Sequence, residues 1–541
     1  MSYQPVVSNS DASLKVTALA GIHSVLLGFD FLGSEVDRKG FLGFAVHRTD
    51  VLDNEAAWLR GQIRFKGGTG DYGDDIPTNR APLQKFHWAD FTTKPGRLYR
   101  YSVHPVFGPS AAPDVRAPVV VDVTTTANIE GGTQLYFNRG VTASPAYRKR
   151  FGDVDPGKVP EGSAYRWLSR GLEEALLGFI AQAARGDELK VAIYEFEQES
   201  VIRALRAAKA RGVRVWIVYH AKPKDKQTLE NRQHVKELKL AASRVAERTA
   251  VPNISHNKFI VHLKNNAPQR VWTGSTNFTE AGFYLQTNVG LVFAEPPIAA
   301  AFNEYFELLR KDLGPDQMYS QTAALVSEVR QTPLQAAKTL YLSPVKGREL
   351  LDAAAGMIAN AKTAIFMSSP FGLDKSIITV LNQNNVGVLE YGLVNTANRK
   401  SLQLIDRTIN AWYATPASLK SYDGQLWDAK AYGNHKIHVK SIVVDPWAPN
   451  PKLLIGSANF SDESVNDNDE NAFLIEGDAR AAAIAATEFL RVFDHYKFRD
   501  YILRAKKDIK VRYLDEDESW TADYFNPGKA KYWERLAFAG S

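Results

Sequence analysis

ISHNKFIVHLKNNAPQRVWTGSTNF, residues 254–278, returns in outline as KIHVKSIVVDPWAPNPKLLIGSANF at residues 436–460. His256 and Lys258 match His438 and Lys440, and Gly274, Ser275 and Asn277 match Gly456, Ser457 and Asn459. Every pair is offset by 182 residues, as 438 − 256 and 459 − 277 both show. Each copy reads His-x-Lys, an apolar run of β type, then Gly-Ser-x-Asn-Phe. Residues two apart in a strand share a face, so each histidine projects beside its lysine. The repeat predicts a duplicated half-site, with each half incomplete alone.

Outward from this pair, each copy is preceded by the same alternation. TQLYFNRG (133–140) and TLYLSPVKG (339–347) open the two units. Ala/Leu-rich helical segments follow at 167–184 and 347–361, then strands KVAIYEF (190–196) and TAIFMSS (363–369). A helix and a further strand complete each unit, at 200–219 and 376–394. Strands alternating with helices predict an α/β fold with mixed or parallel sheets flanked by helices. Two such halves predict a pseudo-twofold arrangement, with the His-Lys stretches meeting between them.

Upstream, VLLGFDF, KGFLGFAVHR, RGQIRFKG and RLYRYSVHPVF are short β-rich runs punctuated by Gly, Pro and Asp. The segment 82–106 places a tryptophan, a Pro-Gly and a Tyr-x-Tyr strand in a pattern that resembles a hairpin of a fibronectin type III or immunoglobulin-like sandwich. The expected division is an accessory β-sandwich at 1–125, one α/β half at 126–335, and a second at 336–541 that includes a C-terminal tail. In that tail, Trp520, Tyr524, Phe525, Tyr532 and Trp533 are expected to pack back onto the body.

Composition narrows the chemistry. The 541 residues are 45% hydrophobic and 23% charged, as in a soluble globular protein. No cysteine is present, which excludes disulfides, thiolate nucleophiles and cysteine-ligated zinc. A net charge of +6 attracts polyanions without choosing between nucleic acid and anionic lipid. Neither a membrane-spanning run nor an export signal is visible, so the default expectation is a cytoplasmic protein, with specialised secretion left open.

Written side by side, the two stretches resemble the phospholipase D superfamily, whose single-chain members carry HxKx4D followed by GSxNF twice. The second copy is complete, with His438, Lys440, Asp445, Gly456, Ser457 and Asn459, and with Glu470 and Asn471 in NDEN at 468–471. The first has Leu263 in the aspartate position, and Gln286 and Asn288 downstream. The resemblance implies metal-independent phosphodiester cleavage through a phosphohistidine, with no cofactor. His256 is the expected nucleophile and His438 the general acid/base, the reverse assignment remaining open. Lys258 and Lys440 supply charge, and Asp445 is grouped with the catalytic set as a supporting residue. Ser275, Asn277, Ser457, Asn459, Glu470 and Gln286 are expected to bind phosphate or support the site.

The residue types suit this chemistry. Histidine can serve as nucleophile or acid near neutral pH, and fixed cations stabilise charge spreading over the equatorial oxygens. No HExxH or DxDxDG pattern that would hold a metal is present. Nucleic acid is the favoured substrate, on the basic balance and on Arg270, Arg399 and Lys400 near the motifs. Phospholipid is the alternative, with aromatic loops AWYATP (411–416) and DGQLWDA (423–429) as membrane-facing candidates; an inactive binding module is the third reading. The expected assembly is a monomer with an internal pseudo-dimer. Of the remaining polar residues, His262 reads as a strand-packing residue, Lys222, Lys224 and Lys226 as either a cleft-edge or a solvated loop, Asp71, Asp74 and Asp75 as a solvated turn, and His435 and Lys436 as neighbours of the second motif.

Overall fold

The computed structural model describes residues 4–68, 75–128, 132–140, 145–152, 154–331, 337–383, 387–395, 411–414, 436–505 and 513–540. His435, Arg399, Lys400, Asp71, Asp74 and the 423–429 stretch lie outside these residues.

The chain begins with two antiparallel sheets. One contains Val6–Ser10, Leu14–Ala20, Val25–Phe31 and His87–Asp90; the other is built on Phe41–Asp50 and Leu98–Phe107. Alternate residues of both sheets, among them Val16, Phe29, Phe44, Val46 and Tyr101, share one apolar core. Trp520 and Tyr524 of the C-terminal segment complete that core, and the Trp520 indole donates to Phe41 O at 3.0 Å. Trp520 and Tyr524 therefore pack inward, while Phe525, Tyr532 and Trp533 are half-buried.

Two seven-stranded sheets follow. Numbered in chain order, the first contains β1 (Thr133–Phe137), β2 (Glu188–Ile193), β3 (Arg214–His220), β4 (Val245–Arg248), β5 (Lys258–Lys264), β6 (Ala267–Gly274) and β7 (Val289–Phe293). The second contains β8 (Lys338–Ser343), β9 (Ala364–Ser368), β10 (Leu389–Leu393), β11 (Ala411–Ala414), β12 (Lys440–Val444), β13 (Lys452–Gly456) and β14 (Glu470–Glu476). Their spatial orders are β1-β7-β6-β5-β2-β3-β4 and β8-β14-β13-β12-β9-β10-β11, the same path twice. In each, the last two pairings are parallel and the other four antiparallel. The AWYA of 411–414, expected as a membrane-facing loop, is instead the edge strand β11, paired with β10 through its backbone.

The inner faces of both sheets share a core with α1 (Pro296–Arg310) and α2 (Ala479–Ala505). In α1, Ile298, Ala299, Phe302, Tyr305, Phe306 and Leu309 recur at helical spacing and are buried. Phe293 and Phe473, one from each sheet, stack at 4.1 Å. Backbone bonds then zip the halves together in symmetric pairs. His256 N donates to Asp469 O at 3.0 Å, and His438 N donates to Thr287 O at 3.1 Å, with both partners separated by the same 182 residues. Asp469 N to Ile254 O and Thr287 N to Lys436 O, at 3.1 and 2.8 Å, repeat the relation. No helix among the described residues is long and apolar enough to cross a membrane.

Candidate active site

Each histidine lies two residues before the first residue of a central strand, His256 before β5 and His438 before β12. The cross-half backbone bonds described above hold both histidines in place at the interface. The imidazole centroids are 6.5 Å apart with planes at 65°, and both residues are buried. Within each motif the lysine turns back toward its histidine. Lys258 Nζ donates to His256 O at 2.5 Å, and Lys440 Nζ lies 2.9 Å from His438 O and 3.2 Å from His438 Nε2.

The Gly-Ser segments bring the next strand close enough to complete the wall. A Cβ on Gly274 would stand 2.3 Å from Val289 O, and one on Gly456 2.4 Å from Asn471 O, so both positions require glycine. Ser275 N donates to Val289 O at 3.0 Å, and Ser457 N to Asn471 O at 2.9 Å. The serine hydroxyls also accept from those residues' backbone N–H groups, at 3.1 and 3.0 Å. Ser275 and Ser457 thus orient the strands behind the histidines.

The two imidazoles have different partners, each from the opposite half. His256 Nδ1 lies 2.9 Å from Glu470 Oε2, close but bent away from an in-line hydrogen bond. The other carboxylate oxygen, Glu470 Oε1, accepts from Ser464 Oγ and Asn468 Nδ2, both at 2.9 Å. His438 Nδ1 lies 2.9 Å from Asn288 Oδ1. Asn288 Oδ1 also accepts from Ser275 Oγ at 2.8 Å, while Asn288 Nδ2 donates to Gly282 O at 2.9 Å. That network turns the amide oxygen toward His438, so Nδ1 carries the hydrogen and Nε2 presents its lone pair toward Lys440.

Asn288 therefore occupies the place expected of Gln286. Gln286 is half-exposed and its backbone oxygen accepts from Asn138 Nδ2 at 2.7 Å, whereas Asn288 is buried against His438. The repeat already contained the signal, because 470 − 182 is 288. Asp445 is also displaced from the reacting groups. It follows the far end of β12, and its carboxylate accepts from Lys362 N, Thr363 N, Thr363 Oγ1 and Ala364 N at 2.7–3.1 Å. It fixes the entry to β9 and does not face the histidines. Its counterpart Leu263 simply packs in the core.

Asn277 and Asn459 each leave a buried side-chain oxygen without a hydrogen-bond partner. The Asn277 amide nitrogen donates to Glu195, a residue outside both motifs. Tyr194 lies beside His256, with centroids 5.0 Å apart, and Lys258 Nζ is 5.2 Å from its ring. Phe371 stands in the same relation to His438 and Lys440, at 5.8 and 5.3 Å. Motif reading had no means of finding Tyr194, Glu195 or Phe371, since they follow β2 and β9 far away in sequence. His262, by contrast, is tied to Asp187 and Arg270 at 2.9 and 3.0 Å, and Lys222 to Pro252 O at 2.6 Å.

Burial dominates the electrostatics. It holds His256 and His438 well below the usual histidine range, reinforced by Lys258 and Lys440, so both rings are neutral near pH 7. Burial also brings Lys440 down to about 7, opposed by Glu470 and Glu195. The Glu470 carboxyl is pushed up to about 7 by burial, against the pull of Lys258, Asn468 and Lys440. A bound anion would favour the charged forms of both lysines and both histidines. The arrangement can therefore hold a tetrahedral anion between two imidazoles, with one ring oriented by a carboxylate and the other by an amide.

Residues 176–310 match the family described as cardiolipin synthase, PLD-like domain. Among solved structures, the chain shares 23% identity with Nuc, a phospholipase D family member from Salmonella typhimurium, over 32% of this chain and 91% of that one, at a TM-score of 0.23. Phosphatidylserine synthase from Haemophilus influenzae is 12% identical over 64% of this chain and 94% of that one, at 0.40. Polyphosphate kinase from Porphyromonas gingivalis is 14% identical over 58% of this chain, at 0.36, and the match spans 46% of that kinase. No curated protein matches significantly.

Proposed function

We propose that this chain, whose residues 176–310 form a phospholipase D-like domain, is a phosphodiesterase that works through a phosphohistidine on His256. The crossed partnering of the imidazoles carries this reading, with Glu470 on His256 and Asn288 on His438. With Nδ1 2.9 Å from a carboxylate oxygen, His256 can present the Nε2 lone pair to phosphorus, and the developing imidazolium gains an anionic neighbour. As the N–P bond forms, the opposite P–O bond breaks and the departing oxygen takes a proton that Lys440 has passed to His438 Nε2. Lys440, held at about 7 and 3.2 Å from that nitrogen, keeps a proton at hand. Water or an acceptor alcohol then loses its proton to His438, attacks phosphorus and releases His256. Lys258 and Lys440 stabilise the negative charge on the non-bridging oxygens throughout.

Nucleic acid is the substrate we favour. Phe371 is 45% exposed beside His438, on the leaving-group side, where a base can stack on it, and the net charge of +6 attracts a polyanion. The same ring, with Tyr194 across the cleft, supports a second reading, a phospholipid whose choline is held by aromatic faces. The N-terminal sheets at 1–125 serve in either case as an accessory unit ahead of the halves at 126–335 and 336–541.

The test is incubation of the purified protein in EDTA with plasmid, single-stranded DNA, RNA and phosphatidylcholine vesicles. Cleavage of nucleic acid supports the favoured substrate, whereas choline release with intact nucleic acid replaces it with the second reading. Inertness toward all four would overturn the phosphodiesterase assignment. His256→Ala and His438→Ala should each abolish turnover.

A further inference from the structure

Glu195 is a carboxylate in the cleft that belongs to neither motif. It follows β2, is half-buried, and accepts from the Asn277 amide. Its charge acts on both motif lysines, Lys258 and Lys440, from opposite halves. These are the groups assigned above to the phosphate, and an anion beside them works against binding any other anion. The duplicated frame does not require it. Ile193 pairs with Lys258 at the end of β2, and Ser368 pairs with Ser441 in the second sheet. Continuing the second ladder by one pair aligns Ser369 with Lys440, so Phe371 occupies the position of Glu195. The match is one of register, since the Phe371 ring itself meets His438 and Lys440 as Tyr194 meets His256 and Lys258, so the carboxylate is the addition of the first half.

The charges nearest the phosphate position suggest a purpose. Lys258 and Lys440 contribute at most two positive charges, and the carboxylates Glu470 and Glu195 both act against them. With both carboxylates ionised no net positive charge is left over, so Glu195 weighs twice as heavily on a dianion as on a monoanion. A phosphodiester carries one negative charge; a phosphomonoester carries two above its second pKa of about 6, and inorganic phosphate is likewise a dianion at the alkaline pH of the test. Both readings of the substrate have such products, since nuclease cleavage and phospholipid head-group removal each leave a terminal phosphate.

We propose that Glu195 is a charge filter that admits a monoanionic diester and rejects a dianionic monoester, discriminating substrate from product. The inference rests on the phosphate site of the preceding section. Burial, the largest influence, raises the Glu195 carboxyl above its usual range and Glu197 adds to this, while Lys258, Asn277 and Lys440 pull toward its charged form.

The experiment is calorimetric binding of dimethyl phosphate and of inorganic phosphate at about pH 8.5, where the latter is a dianion. It compares the full-length protein with its Glu195→Gln and Glu195→Asp variants. Glutamine keeps an acceptor for Asn277 but removes the charge; aspartate keeps the charge. In a simple electrostatic site the gain for two charges is the square of the gain for one. Glu195→Gln should therefore tighten phosphate about tenfold and dimethyl phosphate about threefold, while Glu195→Asp should retain the parental ratio. Equal changes for both ligands, or no change for either, would overturn the charge filter. If neither ligand binds the parent or the variants, the phosphate site itself is wrong and the filter falls with it, an outcome distinct from the other two.

Discussion

Replacing Glu470 with glutamine separates what this carboxylate does for chemistry from what it costs the fold. Glu470 is fully buried, with Oε1 held by Ser464 and Asn468 and Oε2 facing His256 Nδ1 at 2.9 Å. Burial pushes its carboxyl up to about 7, from an ordinary value of 4.5. A raised carboxyl binds its proton more tightly in the native state, so between those two values the folded protein holds more protons than the unfolded one. Stability from this group is present below about 4.5 and is lost as pH rises toward about 7. The gap corresponds to about 3 kcal/mol. Glutamine cannot ionise, so Glu470→Gln should match the parent near pH 4.5 and exceed its stability by about 3 kcal/mol near pH 8. Turnover should fall about 10–100-fold, because His256 loses the anion that orients and stabilises it. Chemical denaturation at both pH values, with kcat measured on the same preparations, checks the pair of effects. A variant that is less stable than the parent near pH 8, or whose stability difference is the same at both pH values, would refute the reasoning.

Asn288→Ala should lower kcat about 10–100-fold by freeing the His438 ring, whereas Gln286→Ala should leave kcat near the parental value; steady-state kinetics compares them. Asp445→Ala should destabilise the second half by about 2–4 kcal/mol, because Lys362 N, Thr363 N and Ala364 N lose their acceptor, while kcat per folded molecule changes less than about threefold. Trp520→Ala should cost about 3–5 kcal/mol and loosen the N-terminal sheets, measured as a lowered thermal midpoint and faster proteolysis of the first hundred or so residues.

Symmetry was legible in the sequence, but of the asymmetry only Leu263 opposite Asp445 was. The 182-residue offset between motifs foreshadowed more than a repeated pattern, since the same offset relates the backbone bonds of His256 to Asp469 and of His438 to Thr287. The α/β class followed from the alternation of apolar runs and Ala/Leu-rich segments, because burial on both faces makes such strands continuous in hydrophobicity, whereas the strand order did not. Residues whose role depends on long-range register escaped. Asn288 was overlooked in favour of Gln286 because residues two apart in an extended segment look alike until one face is known. Glu195 and Phe371 carry no motif, and reach the site only because β2 pairs with β5 and β9 with β12. The 411–414 strand read as a loop for a related reason: tryptophan and tyrosine beside a Thr-Pro suit an interface as well as a sheet edge, and pairing with β10 decides between them.

Duplication explains why the two histidines can take different tasks. A symmetric site with identical partners on both rings would leave nucleophile and acid interchangeable, and each would be neutral or charged together. Here the backbone frame stays symmetric while the pair of equivalent positions that partners the two histidines, Asn288 and Glu470, differs by one charge. The carboxylate favours a positively charged ring, which His256 becomes when its nitrogen bonds phosphorus. The amide fixes a tautomer without stabilising charge, so His438 can release a proton and take one back. Exchanging the two residues, as Asn288→Glu with Glu470→Asn, should therefore move the covalent phosphate from His256 to His438. Acid quench followed by mass spectrometry of the labelled peptide reads the site directly. Label remaining on His256 in the exchanged protein would show that the partners do not assign the roles.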